Sequence, residues 1–350
     1  MPFMKLFLKM FCLILLLNSC HSLKGSADSS ANNAVVTSEN SDFIIAFGSC
    51  NRQDLPQPLW EPIIANNPNV FIWGGDNIYA DTEDMKEFER DYELQKQNID
   101  YQKLLAATDV LATWDDHDYG QNDGGSSWEY KEESQQEFLD FLEVPLTDER
   151  RRREGVYYSK TYKEETGSVK IILLDTRYFR SELKASEEEG RRYDAGLNGT
   201  ILGEQQWEWL EQELQQSKAD FNIIMSSIQV LSGEHGFESW ANFPKEVNRL
   251  QDLIVLTKAK NVVLLSGDRH ISEFSRMEIP ALDYQLIDFT SSGLTHSYSN
   301  FSGEPNQYRV GDVVSDLSFG LLLFDFENKK ITMQMRGKKN GLQQQLIQNF

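Results

Sequence analysis

The sequence of 350 residues is poor in positive charge, in cysteine and in histidine. Its 34 lysines and arginines stand against 55 aspartates and glutamates, so the formal net charge is −21. A surface of this sign repels the phosphate backbone of nucleic acids, and we therefore expect no nucleic-acid scaffold as a partner. Apolar residues make up 40% of the chain, which is normal for a protein with a complete hydrophobic core.

The apolar run near the N terminus, residues 11–17, is too short to span a bilayer. Because Lys5 and Lys9 precede it, it predicts a secretory signal peptide over residues 1–19. The segment Leu17-Asn18-Ser19-Cys20 resembles the bacterial lipobox, in which the cysteine is acylated and becomes the first residue of the mature protein. An ordinary signal peptide with a chance cysteine is the alternative.

Residues 20–41 are rich in serine, alanine and asparagine, a composition typical of a flexible linker. We therefore expect a tether over residues 20–41 and one folded domain over residues 42–350. A lipid on Cys20 would attach the protein to a membrane of the bacterial cell envelope, on the periplasmic side or at the outer membrane. We expect the protein to be a monomer.

The three cysteines are Cys12, Cys20 and Cys50. Processing at Cys20 removes the first, and acylation occupies the second, so Cys50 has no partner for a disulfide. An unpaired thiol outside the cytoplasm is either buried and inert or held as a metal thiolate.

Short continuous apolar runs predict strands that are buried on both faces. They cover residues 43–47, 70–73, 110–113, 169–174, 221–225 and 262–265. Helical patterns lie between them, for example after Gly203 and after Pro244, and this alternation indicates an α/β layered fold. Residues 321–326 and 331–335 predict a hairpin that completes a second sheet, and residues 341–350 can form one short helix.

Side chains that bind metals follow four of these runs at the point where each run ends. The segments are Gly48-Ser49-Cys50, Gly74-Gly75-Asp76-Asn77-Ile78-Tyr79, Trp114-Asp115-Asp116-His117-Asp118 and Ser266-Gly267-Asp268-Arg269-His270. In open α/β sheets, ligands bind beyond the carboxyl ends of the strands. Only five histidines occur in the chain, and two of them lie in these segments. The pattern therefore predicts that the four segments converge on a metal site.

The same segments resemble the sequence blocks of the calcineurin-like metallophosphoesterase superfamily and, more narrowly, of the PhoD-like alkaline phosphatase and phosphodiesterase family. Further similar motifs are Leu174-Asp175-Thr176-Arg177, Leu202-Gly203 with Gln206, Trp209 and Leu210, and Trp240 with Phe243-Pro244. The resemblance extends from about residue 43 to about residue 294. It implies an α/β fold of four layers, a metallophosphoesterase-type sandwich of two mixed β-sheets flanked by helices. Longer members of the family carry an N-terminal β-domain, where this chain has only the tether.

The resemblance also implies hydrolysis of phosphomonoesters, phosphodiesters or both, by water activated at a dinuclear metal centre. The expected ions are Fe³⁺ and Ca²⁺, with Zn²⁺ or Mn²⁺ as the alternative, and the expected substrate is a small phosphate ester. Carried over by motif, the ligands of the iron are Cys50, Asp76, Tyr79 and His270. Asp76 would bridge to a second ion held by Asp116 and Asp268. Asp115 in place of Asp116 remains open.

Four further residues have predicted roles around the metals. His117 would protonate the leaving oxygen or stabilise the transferred phosphoryl group, with Asp118 orienting its imidazole. A structural cap of the loop is the alternative for His117. Arg177 and Arg52 would bind the phosphate, because a guanidinium group matches phosphate oxygens in pairs. An internal salt bridge with Asp175 or another acid is the alternative for Arg177.

Two functions compete with hydrolysis. A non-catalytic surface lipoprotein could keep the fold and its metals in order to bind a phosphorylated or glycan ligand. A redox protein could use an iron at Cys50 for electron transfer. Both predict that phosphate esters are not turned over.

Overall fold

The structure, a computed structural model, describes residues 41–350. The predicted signal peptide, the tether up to residue 40 and the lipidation site Cys20 lie outside the described residues. The strands are β1 Phe43–Gly48, β2 Val70–Gly74, β3 Asp109–Thr113, β4 Tyr158–Lys163, β5 Ser168–Leu173, β6 Phe221–Met225, β7 Val262–Ser266, β8 Ser272–Met277, β9 Leu286–Ser291, β10 Arg309–Val314, β11 Phe319–Asp325, β12 Lys330–Arg336 and β13 Leu342–Asn349. The helices are α1 Trp60–Ile64, α2 Met85–Lys96, α3 Ile99–Ala107, α4 Asp116–Tyr119, α5 Lys131–Phe141, α6 Gly203–Gln216 and α7 Pro244–Thr257.

The strands form two mixed sheets. The first has the order β13-β12-β11-β1-β2-β3, with β1, β2 and β3 parallel and the β11–β13 meander antiparallel. The second has the order β10-β8-β9-β7-β6-β5-β4, with β5, β6, β7 and β9 parallel. Each predicted strand is present within one or two residues of its predicted bounds. Two mixed sheets flanked by helices confirm the expected architecture.

The main core lies between the sheets and explains the continuous apolar runs. Phe47 of β1 meets Phe289 of β9 edge to face, with the ring centroids 4.8 Å apart. A second core packs α6 and α7 against the outer face of the second sheet, around Trp207 and Leu250. Strands such as β6 are therefore covered on both faces, so neither face needs polar residues.

The two sheets are also tied together at their edges. On one side, Lys160 of β4 forms a salt bridge with Asp109 of β3. On the other side, Gln344 of β13 accepts a hydrogen bond from the Asp312 N–H at 2.9 Å and donates one to the Asp312 carbonyl at 2.7 Å.

Two predictions about the C-terminal region are wrong. The β11–β12 hairpin extends the first sheet beside β1 and does not complete the second one. Residues 342–349 form strand β13 and no helix, because the free edge of β12 offers backbone partners along the whole segment. Pairing of this kind outweighs the weak local helix preference of a glutamine-rich segment.

Across residues 41–350, we find no helix with the length and apolar character needed to cross a membrane.

Candidate metal centre

The four segments singled out in the sequence meet at one end of the sandwich. Cys50 follows β1, Asp76 follows β2, Asp116 follows β3, and Asp268 and His270 follow β7. Parallel strands within one sheet point their carboxyl ends the same way, and the two sheets face each other with these ends together. The Cys50 N–H donates to the Gly75 carbonyl at 3.4 Å, which joins the first two segments.

The backbone at these positions adopts conformations that side chains normally avoid. Cys50, Asp76, Asp268 and His270 have φ angles of 58°, 52°, 66° and 54°. Left-handed backbone at residues other than glycine is uncommon, and it concentrates where a function requires it. Unfavourable backbone at four donor residues of one site indicates that the function of the site requires these side-chain orientations.

Two glycines allow the segments to approach closely. A side chain at Gly75, whose φ is 98°, would lie 2.6 Å from the Cβ atom of Asp115. A side chain at Gly267 would lie 2.5 Å from Ser49 Oγ and 3.0 Å from the Gly74 carbonyl oxygen. Gly75 therefore lets the segments after β2 and β3 meet, and Gly267 lets the segment after β7 of the second sheet approach the segments after β1 and β2.

The first group of donors contains sulfur, nitrogen and oxygen. Cys50 Sγ lies 3.2 Å from Asp76 Oδ2, which also accepts a hydrogen bond from Tyr79 Oη at 3.2 Å. Tyr79 Oη lies 3.0 Å from His270 Nε2. Donor atoms of Cys50, Asp76 and His270 all fall within 4.8 Å of one another. The structure thus brings together the four residues predicted to hold iron.

The second group contains only carboxylates. Oxygens of Asp115, Asp116 and Asp268 fall within 4.8 Å of one another, and so do donor atoms of Asp76, Asp116 and His117. Asp115 Oδ2 is buried and has no hydrogen-bond partner among residues 41–350. Asp76 lies in one group with Cys50 and His270 and in another with Asp116 and His117, as expected for a ligand that bridges two ions.

Burial and mutual repulsion keep these donors in an unfavourable electrostatic environment. Burial raises the pKa of the Cys50 thiol to about 12 and the pKa of Asp268 to about 7. Burial, Cys50 and Asp116 together raise the pKa of Asp76 well above its ordinary value. Burial raises the pKa of Asp116, but the charges of Arg177 and His117 together with hydrogen bonds from Asp123 and Asp76 lower it to about 2. Buried anionic donors at such distances suit cations, which would remove the repulsion.

The donors match the chemistry of the expected metals. A thiolate, a phenolate and an imidazole suit a transition metal such as iron, and a set of carboxylate oxygens suits a hard cation such as Ca²⁺. Asp115 Oδ2, unlike Oδ1, has no hydrogen-bond partner among the described residues, and a bound cation would compensate the burial of this oxygen. The residues present therefore fit a pair of metal ions.

His117 lies beside the donors and is held by two neighbours. Its ring stacks on Tyr79, with centroids 4.0 Å apart, and its Nδ1 lies 2.7 Å from Asp81 Oδ2. Burial lowers the pKa of His117, but the Asp76, Asp116 and Asp81 carboxylates raise it to about 10. Asp81 sets the orientation of the imidazole through its contact with Nδ1.

The structure does not give Asp118 the predicted contact with the imidazole. Asp118 Oδ1 accepts hydrogen bonds from the Asp76 N–H at 3.0 Å and the Asp115 N–H at 2.6 Å. Its Oδ2 accepts one from the Asn77 N–H at 3.2 Å. Asp118 is fully buried at the start of α4 and fixes the backbone of two donor segments, so its role is to position them.

Arg177 is not placed to bind a substrate. Its side chain is fully buried, its Nε donates to Asp115 Oδ1 at 2.6 Å, and its Nη1 donates to Glu238 Oε2 at 2.6 Å. Arg180 pairs with Glu238 as well, Nε to Oε1 at 2.9 Å. The internal salt bridge is therefore the correct alternative, and it is formed with Asp115 and Glu238. From Arg177, Asp175 accepts the backbone N–H and no hydrogen bond of the guanidinium group.

Arg52 also differs from its predicted role. Its guanidinium group is 44% exposed and pairs with Asp54 at 2.7 Å, outside the lining of the cavity. The arginines that do line the cavity are Arg192, which pairs with Asp123 at 2.5 Å, and Arg269, which pairs with Glu304 at 2.9 Å. Arg192 keeps half of its side chain exposed, so it is the more accessible cation.

A cavity of about 360 Å³ opens over the metal donors. Its floor carries Asp76, Asp116, Asp268 and His270, with His117 beside them. Sequence reasoning missed four residues at or near this cavity: Asp81, Asp123, Arg192 and Glu238. Asp81 was detectable as an acid shortly after the Gly-Asp segment, and Asp123 lies in the glycine-rich loop after Asp118. For Arg192 and Glu238 no sequence signal separates them from the many other charged residues.

Comparisons with known proteins place the chain in a family. A family model for PhoD-like phosphatase matches residues 45–309, more than half of the chain. Alkaline phosphatase D of Bacillus subtilis is 22% identical over 250 residues, which cover 65% of this chain and 42% of that protein. The chain thus spans less than half the length of this curated relative.

Solved structures share the fold. A structure of PhoD matches with a TM-score of 0.68 at 16% identity, and the match covers 90% of this chain and 70% of the PhoD chain. GAP50, the anchor in the inner membrane complex of Plasmodium, has a TM-score of 0.56 at 12% identity, with 89% of each chain covered. A dimetal phosphatase from Danio rerio has a TM-score of 0.52 at 14% identity and covers 89% of this chain and 100% of its own. With the family match over residues 45–309, the conclusion is that this chain belongs to the PhoD-like phosphatase family.

Proposed function

We propose that this protein hydrolyses small phosphate esters, mono- or diesters, at a centre of two metal ions. The observation that carries the proposal is the pair of donor groups joined by Asp76, each formed on strained backbone at the ends of strands. Family membership and the similarity to alkaline phosphatase D support the reaction class.

We assign the donors to the two ions as follows. Cys50, Asp76, Tyr79 and His270 would hold Fe³⁺, and Asp76, Asp116 and Asp268 would hold Ca²⁺, with Zn²⁺ or Mn²⁺ as the alternative occupants. Asp116 takes precedence over Asp115 because it takes part in three of the four donor groups, whereas Asp115 takes part in one. When bound, the ions supply Lewis-acid activation of water and of the phosphoryl group.

His117 is the residue of this chain best placed to move a proton. Its imidazole lies beside Asp76 and Asp116 and keeps part of its surface open to the cavity. Asp81 holds Nδ1, so Nε2 is the atom that can give a proton to the departing oxygen of the ester. Asp81 acts through His117 and is a positioning residue.

The fold alone does not establish catalysis, since the structurally similar GAP50 is described as an anchor. Catalysis at two metal ions requires every predicted donor, whereas a protein that only binds a ligand can lose some of them. Here every predicted donor position is occupied and brought to the site. This favours the enzyme over the binding protein.

We also propose that the protein is exported and anchored through a lipid on Cys20. Support comes from the sequence of residues 1–20 alone. Expression of the full chain and of Cys20→Ala in a bacterium, followed by membrane fractionation, tests this. Release of the variant from the membrane fraction supports the anchor, and equal membrane retention of both proteins overturns it.

The hydrolysis is tested with esters that differ in their leaving group. We expect the purified protein to hydrolyse p-nitrophenyl phosphate and bis(p-nitrophenyl) phosphate and to lose both activities with a chelator. His117→Ala should slow phenyl phosphate by about 10²- to 10⁴-fold, because phenolate needs a proton, and p-nitrophenyl phosphate much less. Asp81→Asn should slow phenyl phosphate by about 10- to 100-fold.

The control is Asp54→Asn, which changes an exposed carboxylate outside the cavity. It should leave all rates unaltered. Absence of turnover on every ester with the metals loaded contradicts the proposed reaction. An equal loss on both phenyl esters in His117→Ala contradicts the role of His117 as the acid.

A further inference from the structure

Two aromatic side chains stand exposed at the cavity that holds the metal donors. Phe237 is 37% exposed and Tyr298 is 41% exposed, and both line the cavity together with Asp268 and His270. Exposed apolar side chains scattered singly over a surface need no explanation. A pair of them at a concave, polar site is different, because ligand sites combine aromatic walls with a few polar groups.

Both rings are held in place by contacts of their own segments. The Tyr298 N–H donates to the His270 carbonyl at 2.8 Å, so the ring is tied to the segment of a metal donor. The Phe237 N–H donates to His235 Nδ1 at 3.2 Å, and the Arg269 guanidinium lies 4.2 Å from the centre of the Phe237 ring. Aromatic side chains have only two rotatable side-chain angles, so they lose little conformational entropy when a ligand binds.

The rest of the lining indicates which ligand would use these rings. Among the described residues that line the cavity, none is aliphatic, so an acyl chain would find no continuous apolar channel. The neutral polar side chains are engaged elsewhere: Asn122 donates to Asp123 Oδ2 at 2.7 Å, and Ser297 donates to the Ser315 carbonyl at 3.0 Å. A sugar that carries no aromatic group would therefore gain little from Phe237 and Tyr298. A flat aromatic ring is served well, because it stacks on aromatic side chains.

We infer that Phe237 and Tyr298 form a stacking subsite for a flat aromatic ring, and that the substrate class is nucleoside phosphates. The inference rests on the proposed hydrolysis and adds the group attached to the phosphate. The cavity of about 360 Å³ is of the size that accepts one small ligand. The nucleobase would contact the two rings while the phosphate reaches the metal donors.

The test compares AMP with ribose 5-phosphate, which share the same leaving oxygen and differ only in the base. We expect kcat/KM to be about tenfold to a hundredfold higher for AMP, the range of base stacking on an aromatic side chain, and the gain to appear in KM. Phe237→Leu and Tyr298→Leu, which keep apolar bulk but lose the ring, should each bring the ratio of the two kcat/KM values towards one.

Tyr298→Phe keeps the ring and should keep the ratio. Leu146→Ala, which changes an apolar side chain that is 81% exposed and lies outside the cavity, is the control and should also keep it. A comparison of 2-phenylethyl phosphate with 2-cyclohexylethyl phosphate tests whether an aromatic ring that is not a nucleobase is preferred over a saturated ring of similar size. Preference for the phenyl compound supports the stacking subsite but overturns nucleoside phosphates as the substrate class, because any aromatic ring then suffices. Preference for AMP over ribose 5-phosphate without preference for the phenyl compound supports both the subsite and the nucleobase.

A binding measurement separates failure of the subsite from failure of the hydrolysis. Adenosine and ribose, which carry no phosphate, are titrated into the protein and followed by calorimetry. Tighter binding of adenosine, lost in Phe237→Leu, supports the subsite even if no ester is hydrolysed. Equal rates for AMP and ribose 5-phosphate, together with no preference for adenosine, overturn it.

Discussion

The two halves of the metal centre are built differently. The half around Cys50, Tyr79 and His270 offers three kinds of donor atom, and its donors contact one another. The half around Asp115, Asp116 and Asp268 offers only oxygen, and buried arginine sits against it, with Arg177 Nε 2.6 Å from Asp115 Oδ1. Asp76 is shared between the halves.

This difference shows that the role of an aspartate depends on its partners. Asp115, Asp116 and Asp118 are three acids within four residues, yet one pairs with a buried arginine, one lies among the donors and one fixes backbone N–H groups. In the carboxylate half, the protein supplies part of the positive charge itself.

The largest expected effect comes from removing the residue that the halves share. Asp76→Asn should lower the content of both metals and reduce kcat by about 10³-fold or more, the scale expected when a group that stabilises the transition state is lost. His117→Ala should reduce activity but keep the metals. Elemental analysis of the folded variants checks this, and loss of metal in His117→Ala would show that His117 is itself a ligand.

Separate damage to each half should remove one metal and keep the other. Cys50→Ser should lower the iron content, because a serine hydroxyl is a far weaker anionic donor than a thiolate. Asp116→Asn should lower the content of the second ion. Elemental analysis of both variants beside Asp54→Asn decides the matter, and unchanged iron in Cys50→Ser would reduce Cys50 to a packing residue.

Removal of the internal cation should destabilise the carboxylate half. Arg177→Met leaves Asp115 and Glu238 buried without their partner and should lower the free energy of unfolding by about 3–5 kcal/mol. Arg90→Met removes an arginine that is 64% exposed beside Glu87 and should leave the free energy of unfolding nearly unaltered. Urea unfolding measures both. A higher KM for Arg177→Met with unaltered stability would restore Arg177 as a phosphate ligand.

The smallest effect concerns His235, in the segment beside the carboxylate half. Burial lowers the pKa of His235 from 6.5 to about 3, so between these values the unfolded chain binds a proton that the folded chain does not. Stability should therefore fall as the pH decreases below 6.5, by at most about 1.4 kcal/mol per pH unit from this group. His235→Asn, which can still accept the Phe237 N–H, should show a shallower loss in urea unfolding between pH 7 and pH 4. Equal slopes would mean that His235 titrates normally.

Much of the fold was predictable from the sequence. Continuous apolar runs identified strands β1 to β3 and β5 to β7 because a strand covered on both faces carries no polar alternation. The order of the sheets was not predictable, and neither was strand β13. Both depend on which strand edge is free, and that is known only once the other strands have paired.

The sequence by itself determined which segments carry the donors: Cys50, Asp76, Asp116, Asp268 and His270 follow strands, and a strand end is a local property of the chain. Only the tertiary structure decided how the neighbouring charges are paired. In it, the imidazole of His117 contacts Asp81 and not Asp118, and Arg177 is buried between Asp115 and Glu238. The physical reason is that charge pairing acts through space over a few ångströms, and these partners lie 36, 62 and 61 residues apart in the chain.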